Sequence, residues 1–256
     1  LVVTFLGTGT SQGVPVIGCD CPVCTSIDYR DKRLRSSVHI AVEGKSIVID
    51  TGPDFRQQML KSRISHIDAV LYTHEHKDRV AGMDEIRAFN FLQKKAIPLY
   101  ATRRVMDRLK VEFEYAFAPI KYPGVPNVEL VAIDEAIFEV EGITITPITV
   151  MHAKLPVKAF RIGNFTYITD ANYIAPAEME KIKGSDVVVI NGLQQEKHLS
   201  HFNLKQAVEV IEEIAPKKAY ITHIGHRLGL HSVVQHQLPD FVHLAYDGLQ
   251  INLNAL

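Results

Sequence analysis

Potential metal ligands are crowded into one short segment of the chain. The stretch YTHEHKDRVAG places His74, His76 and Asp78 at alternate positions, directly after the apolar run DAVLYT. That run predicts a strand, and in extended backbone residues i and i+2 point to the same side. Two imidazoles and a carboxylate on one side favour a metal site over a polar loop whose side chains are merely solvated.

Three other apolar segments end in the same residue types. His152 follows ITPITVM, Asp170 follows FTYIT, and His223 follows KAYIT. Any one of them could be a loop residue satisfied by hydrogen bonds or a cap on a turn. Strand ends at one edge of a sheet sandwich are neighbours in space, however, and buried ionisable groups need a partner such as a shared cation. Together, the four strand ends predict a metal site.

The cysteines form a second cluster. Cys19, Cys21 and Cys24 lie within six residues, and the chain has no other cysteine. An odd number at such close spacing does not fit a disulfide framework. A redox pair of Cys21 and Cys24 remains an alternative. A structural zinc needs four ligands, so the fourth would have to come from elsewhere in the chain.

The elements that must position these residues alternate along the chain. The segment HIAVEGKSIVIDTG predicts two strands around a tight turn, and VHLAYDGLQINL predicts a closing hairpin with its turn at Asp247–Gly248. Residues 118–127 are rich in proline and predict a surface loop. Helices are expected at about 80–92, 103–117, 176–183 and 204–214. Hairpins with helices at intervals predict one α/β domain over residues 1–256, with two mixed sheets face to face and helices on the outer faces.

Composition limits the partners and the compartment. The formal net charge is −1, which argues against a nucleic acid polymer or an anionic membrane as partner. No apolar run approaches the roughly 20 residues of a membrane helix. The N-terminal LVVTFLGTGT lacks a basic region and predicts a strand, not a signal peptide. We therefore expect a cytoplasmic protein with a small-molecule substrate, and a homodimer is compatible with the sequence.

These motifs resemble the metallo-β-lactamase superfamily, whose members carry an HxHxDH signature, a later His, a bridging Asp and a final His. The similarity is closer to the PhnP-like phosphoribosyl 1,2-cyclic phosphate phosphodiesterases. It is carried by GTGTSQGVPVIGCDCPVC, DTGPDFR, THEHKDRVAGMDEIR, YITDANY, HLSHFN and THIGHRLGLH. The resemblance covers the whole chain and implies an αββα sandwich with a dinuclear site in a cleft at the strand ends.

The resemblance also implies a role for each matching residue. Six ligands would hold two zinc or manganese ions: His74, His76 and His152 for one, Asp78 and His223 for the other, and Asp170 between them. Four ligands would hold a structural zinc: Cys19, Cys21, Cys24 and His226. Such a zinc would stabilise the cleft wall without taking part in catalysis, because protein atoms fill all its positions.

The reaction that follows is hydrolysis of a small cyclic or nucleotide-like phosphodiester. Two cations can lower the pKa of a bridging water so that a metal-bound hydroxide attacks phosphorus, with Asp78 among the catalytic residues. The resemblance favours His201 as the general acid for the leaving group, and an imidazole suits that role. His198, nearby, is interpreted as a surface residue.

Several residues receive weaker assignments. Asp50 could accept a hydrogen bond from a ligand imidazole or be a plain turn residue. Substrate contacts are predicted for Ser36, Ser37, His231 and Arg79. For Arg35, Ser36 and Ser37, in RLRSSVH, a solvated basic loop remains the stronger alternative.

Arg79 departs from the superfamily signature, which has histidine there. A guanidinium stays protonated and has no lone pair for a metal. It could pair with Asp78 or grip the substrate phosphate. We expect one well-occupied ion at the three histidines and a second ion that is partial or needs excess metal.

Other functions remain open at this stage. The same metal frame could hydrolyse a thioester or a lactone. A tRNA-processing nuclease is disfavoured by the near-neutral charge. A zinc-stabilised binding protein with a degraded second metal site is the non-enzymatic alternative, and Arg79 is the feature that favours it.

Overall fold

The structure, a computed structural model, describes residues 1–120 and 122–253. Within these residues the strands are β1 (Val2–Gly7), β2 (Ser37–Val42), β3 (Lys45–Ile49), β4 (Ala69–Leu71), β5 (Ile97–Ala101), β6 (Val128–Ala132), β7 (Phe138–Val140), β8 (Ile143–His152), β9 (Leu155–Ile162), β10 (Phe165–Tyr167), β11 (Tyr173–Ile174), β12 (Val187–Asn191), β13 (Lys218–Thr222), β14 (Val242–Leu244) and β15 (Gln250–Asn252).

The helices alternate with these strands. They are α1 (Phe55–Ser62), α2 (Lys77–Val80), α3 (Arg87–Gln93), α4 (Arg103–Glu112), α5 (Glu114–Phe117), α6 (Pro176–Ile182), α7 (Leu204–Ile214) and α8 (His231–Gln235). Short 3-10 turns cover Tyr29–Asp31, Met83–Ile86 and His226–Leu228. In the part of the chain that the structure describes, no helix has the length and apolar character to cross a membrane.

The strands form two mixed sheets. Sheet I has the order β15-β1-β2-β3-β4-β5-β6, and sheet II has the order β11-β8-β9-β10-β12-β13-β14, with β7 paired to β8. In sheet I the pairs from β3 to β6 are parallel and the others antiparallel. In sheet II the pairs from β10 to β14 are parallel. The predicted pair of mixed sheets is confirmed.

Apolar side chains fill three layers. Phe5 and Ile40 of sheet I share the central layer with Phe160 and Val189 of sheet II. A second layer joins sheet I to α1, α3, α4 and α5, and a third joins sheet II to α6, α7 and α8. Burying each such side chain contributes about 1.5–3 kcal/mol, so the layers fix the sheets face to face with helices outside. This is the predicted αββα arrangement.

Helix α7 begins and ends where the sequence predicts. The Asn203 carboxamide accepts a hydrogen bond from the Gln206 amide, and the Gln206 side chain accepts one from the Asn203 amide. This capping box satisfies amides that the first turn leaves unpaired. It also fixes the loop that carries His201 directly ahead of the helix.

The C-terminal prediction was wrong. β14 pairs in parallel with β13 of sheet II, whereas β15 pairs antiparallel with β1 of sheet I. The segment Ala245–Leu249 therefore crosses between the sheets and does not close a hairpin. Asp247 lies within it, and its carboxylate accepts hydrogen bonds from the amides of Thr8 and Leu34.

Two predicted helices are interrupted. The helix expected at 80–92 is divided into α2, a 3-10 turn and α3, because the chain packs tightly at Gly82. A Cβ there would come within 2.2 Å of the Gly52 carbonyl oxygen. The helix expected at 103–117 is interrupted at Phe113, whose φ is −121°. The loop at 118–127 has neither helix nor strand among its described residues; Lys121 lies outside them.

Candidate active site at the strand ends

Four strand ends from both sheets meet at one edge of the sandwich. His74 and His76 follow β4, His152 ends β8, and Asp170 and His223 follow β10 and β13. The imidazole centroids of His74 and His76 are 4.5 Å apart, and that of His152 lies 5.3 Å from His76. The structure thus brings together histidines that are up to 149 positions apart in the sequence, from His74 to His223.

Hydrogen bonds fix the proton position on His74. Its Nδ1 lies 3.0 Å from the Thr73 hydroxyl, which itself donates to Asp50 Oδ2 at 2.8 Å. Because the hydroxyl has one proton and an ionised Asp50 takes it, His74 Nδ1 is then the donor. The lone pair of His74 is therefore on Nε2. Asp50 orients this imidazole as predicted, but through Thr73 and not by direct contact.

His152 is fixed in the same way. Its Nδ1 lies 2.8 Å from the Ser200 carbonyl oxygen, which can only accept, so the lone pair is again on Nε2. Burial lowers the pKa of His74 well below the usual range and also lowers the pKa of His152. Both rings are neutral at pH 7, which is the form that binds metals.

These donors fit a divalent cation. His74 Nε2 and His76 Nδ1 lie 3.0 Å apart. Two ligands of one tetrahedral ion at bonds of 2.0–2.1 Å would be about 3.3 Å apart. His152 lies farther from this pair of nitrogens. Its ring centroid is 5.9 Å from that of His74 and 4.5 Å from that of His201. With Asp170 and His201, it forms a group whose ligand atoms lie within 4.8 Å of one another.

His201 faces Asp170 from the loop between β12 and α7. Its Nε2 lies 3.2 Å from Asp170 Oδ1, and its ring stacks on His223 at 4.9 Å. The His201 side chain is 11% exposed, so a bound substrate could reach it. His198 lies beside it, with its Nδ1 3.2 Å from His201 Nδ1, and does not contact Asp170 in the described structure.

Arg79 lies inside the site and is fully buried. Its Nη2 donates to Asp170 Oδ2 and lies 2.8 Å from His223 Nδ1, and its Nη1 donates to the Ser36 carbonyl oxygen at 2.8 Å. Burial alone would lower the pKa of Arg79, but the carboxylates around it, Asp170 first, raise that pKa above its ordinary value.

Burial and the neighbouring charges also shift the pKa values of the carboxylates in the site. Burial would raise the pKa of Asp170, but the Arg79 guanidinium and His223 hold it well below its usual range. Burial raises the pKa of Asp50 to about 7. Asp78 lies 3.5 Å from Arg79 Nε, and its buried Oδ2 has no hydrogen-bond partner among the described residues.

The weaker substrate assignments find little support. Ser36 donates to the Gly9 carbonyl oxygen and lies 3.2 Å from His223 Nδ1, and Ser37 donates to two backbone carbonyl oxygens. His231 is 3% exposed and accepts from Arg33. All three are buried with protein partners, and Arg79 is buried as well. These contacts favour support of the site's walls over direct contact with substrate.

The cysteine cluster is compact. The sulfurs of Cys19, Cys21 and Cys24 lie 3.2–3.5 Å from His226 Nδ1. A hydrogen bond from the Cys24 amide lowers the pKa of Cys21 to about 6, whereas burial raises that of Cys24 to about 11. Thiols that share a site cannot all ionise without a cation between them. Three sulfurs and one imidazole fit a tetrahedral zinc.

Three residues of the site adopt left-handed backbone conformations. The φ angles are 64° at Asp50, 58° at Asp170 and 54° at His223. Each lies just past the end of a strand, where the chain turns sharply. This turn aims a side chain into the site instead of along the sheet.

Sequence reasoning missed the residues that orient the ligands. Thr73 connects Asp50 to His74, Ser200 anchors His152, and the Thr169 hydroxyl donates to Asp170 Oδ2 at 2.7 Å. Each is adjacent to a predicted functional residue, and a hydroxyl next to a candidate ligand is a usable signal. The Ser200 contact, however, uses a backbone carbonyl, which residue type does not reveal.

Comparison with known proteins places the chain in a family. A family model described as the beta-lactamase superfamily domain matches residues 45–224. The chain belongs to the metallo-β-lactamase superfamily. A solved structure described as a new diphosphatase from the PhnP family has a TM-score of 0.92 and 38% identity, and covers 98% of this chain and 96% of that one. The resemblance stated from the motifs is thereby confirmed.

Other relatives carry different names. A Porphyromonas gingivalis protein named octanoyltransferase is 40% identical over 249 residues, covering 96% of this superfamily member and 50% of that protein. Coenzyme PQQ synthesis protein B of a Methylobacterium species is 31% identical over 156 residues, or 56% of this chain and 50% of that protein. The chain spans about half the length of these curated relatives.

A zinc-bound structure shares the fold. Zn²⁺-bound PqqB from Methylobacterium extorquens has a TM-score of 0.79 at 19% identity, covering 99% of this chain and 100% of that one. This likeness extends to the fold alone. Members of the metallo-β-lactamase superfamily bind divalent metals, in agreement with the donor sets described above.

Proposed function

We propose that this metallo-β-lactamase superfamily member is a metal-dependent phosphodiesterase acting on a small cyclic or nucleotide-like substrate. The observation that carries the proposal is the position of His201, 3.2 Å from Asp170, with its ring stacked on His223 and edge-on to His152. A proton donor at this position faces the site where His74, His76 and His152 would hold a cation. Similarity to a PhnP-family diphosphatase supports a phosphorus centre as the target.

The cation would be held by His74, His76 and His152. The neutral rings and fixed tautomers of His74 and His152 are suited to a zinc or manganese ion, and His76 Nδ1 lies 3.0 Å from His74 Nε2. When bound, such an ion supplies a Lewis acid for a phosphoryl oxygen and lowers the pKa of a coordinated water. The cysteine cluster with His226 would hold a separate structural zinc.

His201 would protonate the leaving oxygen. Its Nε2 lies within hydrogen-bond reach of Asp170 Oδ1, which fixes the orientation of the ring. The Ser200 hydroxyl lies 3.1 Å from the other ring nitrogen. An imidazole held between a carboxylate and a hydroxyl can donate a proton and be recharged from solvent, because its edge is exposed.

The substrate is expected to be small. The formal net charge of −1 gives the chain no extended basic surface for a polyanion. Basic side chains do lie beside the site, at Lys77, Arg104 and Arg108, but each is paired with a glutamate. Local contacts with one or two phosphate groups suit this arrangement better than a long nucleic acid.

A second candidate is hydrolysis of a thioester. It is favoured by the 40% identity to a protein named octanoyltransferase. That name belongs to a protein of about twice this length, and the unmatched half could carry the named activity.

Parallel assays would separate the candidates. Bis(p-nitrophenyl) phosphate, a ribose 1,2-cyclic phosphate and an octanoyl thioester would each be incubated with protein supplied with zinc or manganese. We expect turnover of the phosphodiesters, lowered on the order of 10²–10⁴-fold by His201→Ala for the cyclic substrate and unchanged by His236→Ala, an exposed histidine. Turnover of the thioester alone would replace the proposal, and turnover of neither with any cation would favour a binding protein.

A further inference from the structure

The Arg79 guanidinium contacts every group that would hold a second ion. Its Nη2 donates to Asp170 Oδ2 and lies 2.8 Å from His223 Nδ1. Its Nε lies 3.5 Å from Asp78 Oδ2. The side chain is fully buried, and further bonds to the Ser36 carbonyl oxygen at 2.8 Å and the Thr169 hydroxyl at 3.1 Å hold it in place.

Two contacts bear on the tautomer of His223. A guanidinium can only donate hydrogen bonds, so the 2.8 Å contact with Arg79 Nη2 favours a lone pair on His223 Nδ1 and a proton on Nε2, which lies 3.3 Å from Asp170 Oδ1. The Ser36 hydroxyl, which donates to the Gly9 carbonyl oxygen, lies 3.2 Å from the same Nδ1 and favours the opposite tautomer. The contact with Arg79 is the shorter and carries the charge, so it directs hydrogen to Nε2, the nitrogen that would face a second ion.

The charges lead to the same conclusion. Asp170, Asp78 and Asp50 surround the guanidinium, the last with an oxygen 3.7 Å from Nη1. Three carboxylates carry at most three negative charges, which one guanidinium and one divalent cation already balance. A second divalent cation would leave excess positive charge in a buried site, which is costly when no counter-ion is present.

We propose that Arg79 takes the place of the second ion, so that the active site binds a single divalent cation. Ligand atoms of Asp78, Asp170 and His223 lie within 4.8 Å of one another, but the guanidinium already engages all three residues. Asp78 Oδ2 has no hydrogen-bond partner among the described residues, but one carboxylate oxygen beside a guanidinium is a poor site for a cation.

Arg79 then acts as a positioning residue. It holds Asp170 Oδ2, which leaves Asp170 Oδ1 directed at His201 Nε2, 3.2 Å away. The guanidinium thus holds one oxygen of Asp170, and the other faces the imidazoles of His201 and His223.

Manganese binding tests the proposal in the intact protein. Protein that retains its cysteine-bound zinc, but is otherwise free of metal, would be titrated with Mn²⁺ and followed by electron paramagnetic resonance. We expect one bound equivalent with the six-line spectrum of an isolated ion, even with excess Mn²⁺. The spectrum of a spin-coupled pair in the unaltered protein would overturn the proposal.

Substitutions at Arg79 sharpen the test. Arg79→His and Arg79→Gln both remove the guanidinium and free His223, so each should bind a second equivalent and show spin coupling. Arg79→Lys keeps the positive charge and should remain at one. A single equivalent in the folded Arg79→His protein would show that Arg79 is not what excludes the second ion, and would overturn the proposal.

The tautomer provides a readout that does not depend on these variants folding. Long-range ¹H–¹⁵N correlation spectra of histidine-labelled protein should show His223 protonated on Nε2, both with the active site free of metal and with diamagnetic Zn²⁺ bound in place of Mn²⁺. Protonation on Nδ1 would contradict the inference. It rests on the proposed function only in placing a cation at the three histidines, so a protein that binds one ion but hydrolyses no phosphodiester would refute the function alone.

Discussion

Two candidate metal sites differ in how many coordination positions of a cation the protein can fill. They are the cysteine cluster with His226 and the strand-end cluster of His74, His76, His152 and Asp170. At the first, three sulfurs lie 3.2–3.5 Å from one imidazole nitrogen, and four such donors are the number that a tetrahedral zinc needs. At the second, His201 is 11% exposed and an oxygen of Asp78 has no hydrogen-bond partner among the described residues. A closed set stabilises the fold, whereas an open set leaves a position for substrate.

The two clusters are nevertheless connected through one strand end. His223 and His226 both follow β13, three positions apart, and Ile224 between them pairs with Gly9 of the N-terminal loop. Zinc bound at the cysteines would tie that loop to the strand that carries His223. The following experiments test whether the clusters are as different as their geometry indicates.

The largest effect is expected from His152→Ala. Removing this imidazole should release the active-site cation and reduce turnover to background, while the zinc at the cysteines stays bound. Metal content by mass spectrometry and phosphodiesterase activity would be measured together, with His236→Ala as the matched control. Full metal content in His152→Ala would mean that His152 serves His201 and Asp170 instead of the cation.

His201→Ala comes next. Loss of a general acid should lower turnover on the order of 10²–10⁴-fold, with metal content unchanged. The loss should shrink for nitrophenyl esters, whose leaving group needs no proton. His198→Ala, which removes a neighbour that does not contact Asp170, should have a much smaller effect. Equal losses for good and poor leaving groups would assign His201 a different role.

Thr73→Val should have an intermediate effect. It removes the hydroxyl between Asp50 and His74 with little change in volume. Losing such an indirect support for a ligand typically weakens metal affinity by about 10–100-fold. Thr73→Ser, which keeps the hydroxyl, is the control and should bind as the unaltered protein does. If the Thr73→Val and Thr73→Ser proteins have the same metal affinity in a titration, the hydroxyl does not orient His74.

Cys21→Ser should change the active site least. We expect release of one zinc and a loss of roughly 3 kcal/mol in the free energy of unfolding, which lowers the melting temperature by about 6–12 °C. Turnover per folded molecule should stay close to normal. Asp20→Ser, at the position between two cysteines, is the control. A reversible dithiol titration in metal-replete protein would instead identify a redox pair.

The sequence predicts correctly those elements whose formation depends on residues close together in the chain. The β2–β3 hairpin and α7 were placed correctly, because a glycine turn and a capping box are encoded within a few residues. The closing hairpin was wrong because its two strands pair with different sheets. The extent of one domain over the whole chain and the homodimer stay predictions.

The candidate site was predictable to the level of residue types at strand ends. The nitrogen that carries the proton on each imidazole was not predictable, because it depends on the hydrogen-bond partner that each ring meets in the fold. Arg79 was recognised as a departure, yet its bond to His223 Nδ1 joins residues 144 positions apart. The Ser200 carbonyl beneath His152 has no signature in the sequence at all.

The left-handed backbone at Asp50, Asp170 and His223 has a consequence for how this protein can evolve. Aspartate and histidine tolerate that conformation better than most residues, but each such position still costs about 1 kcal/mol. Glycine would relieve the strain at all three positions and would delete the site. Selection for thermal stability alone would therefore replace these residues first. If a stabilised descendant retained them, their retention would indicate that selection for activity had continued.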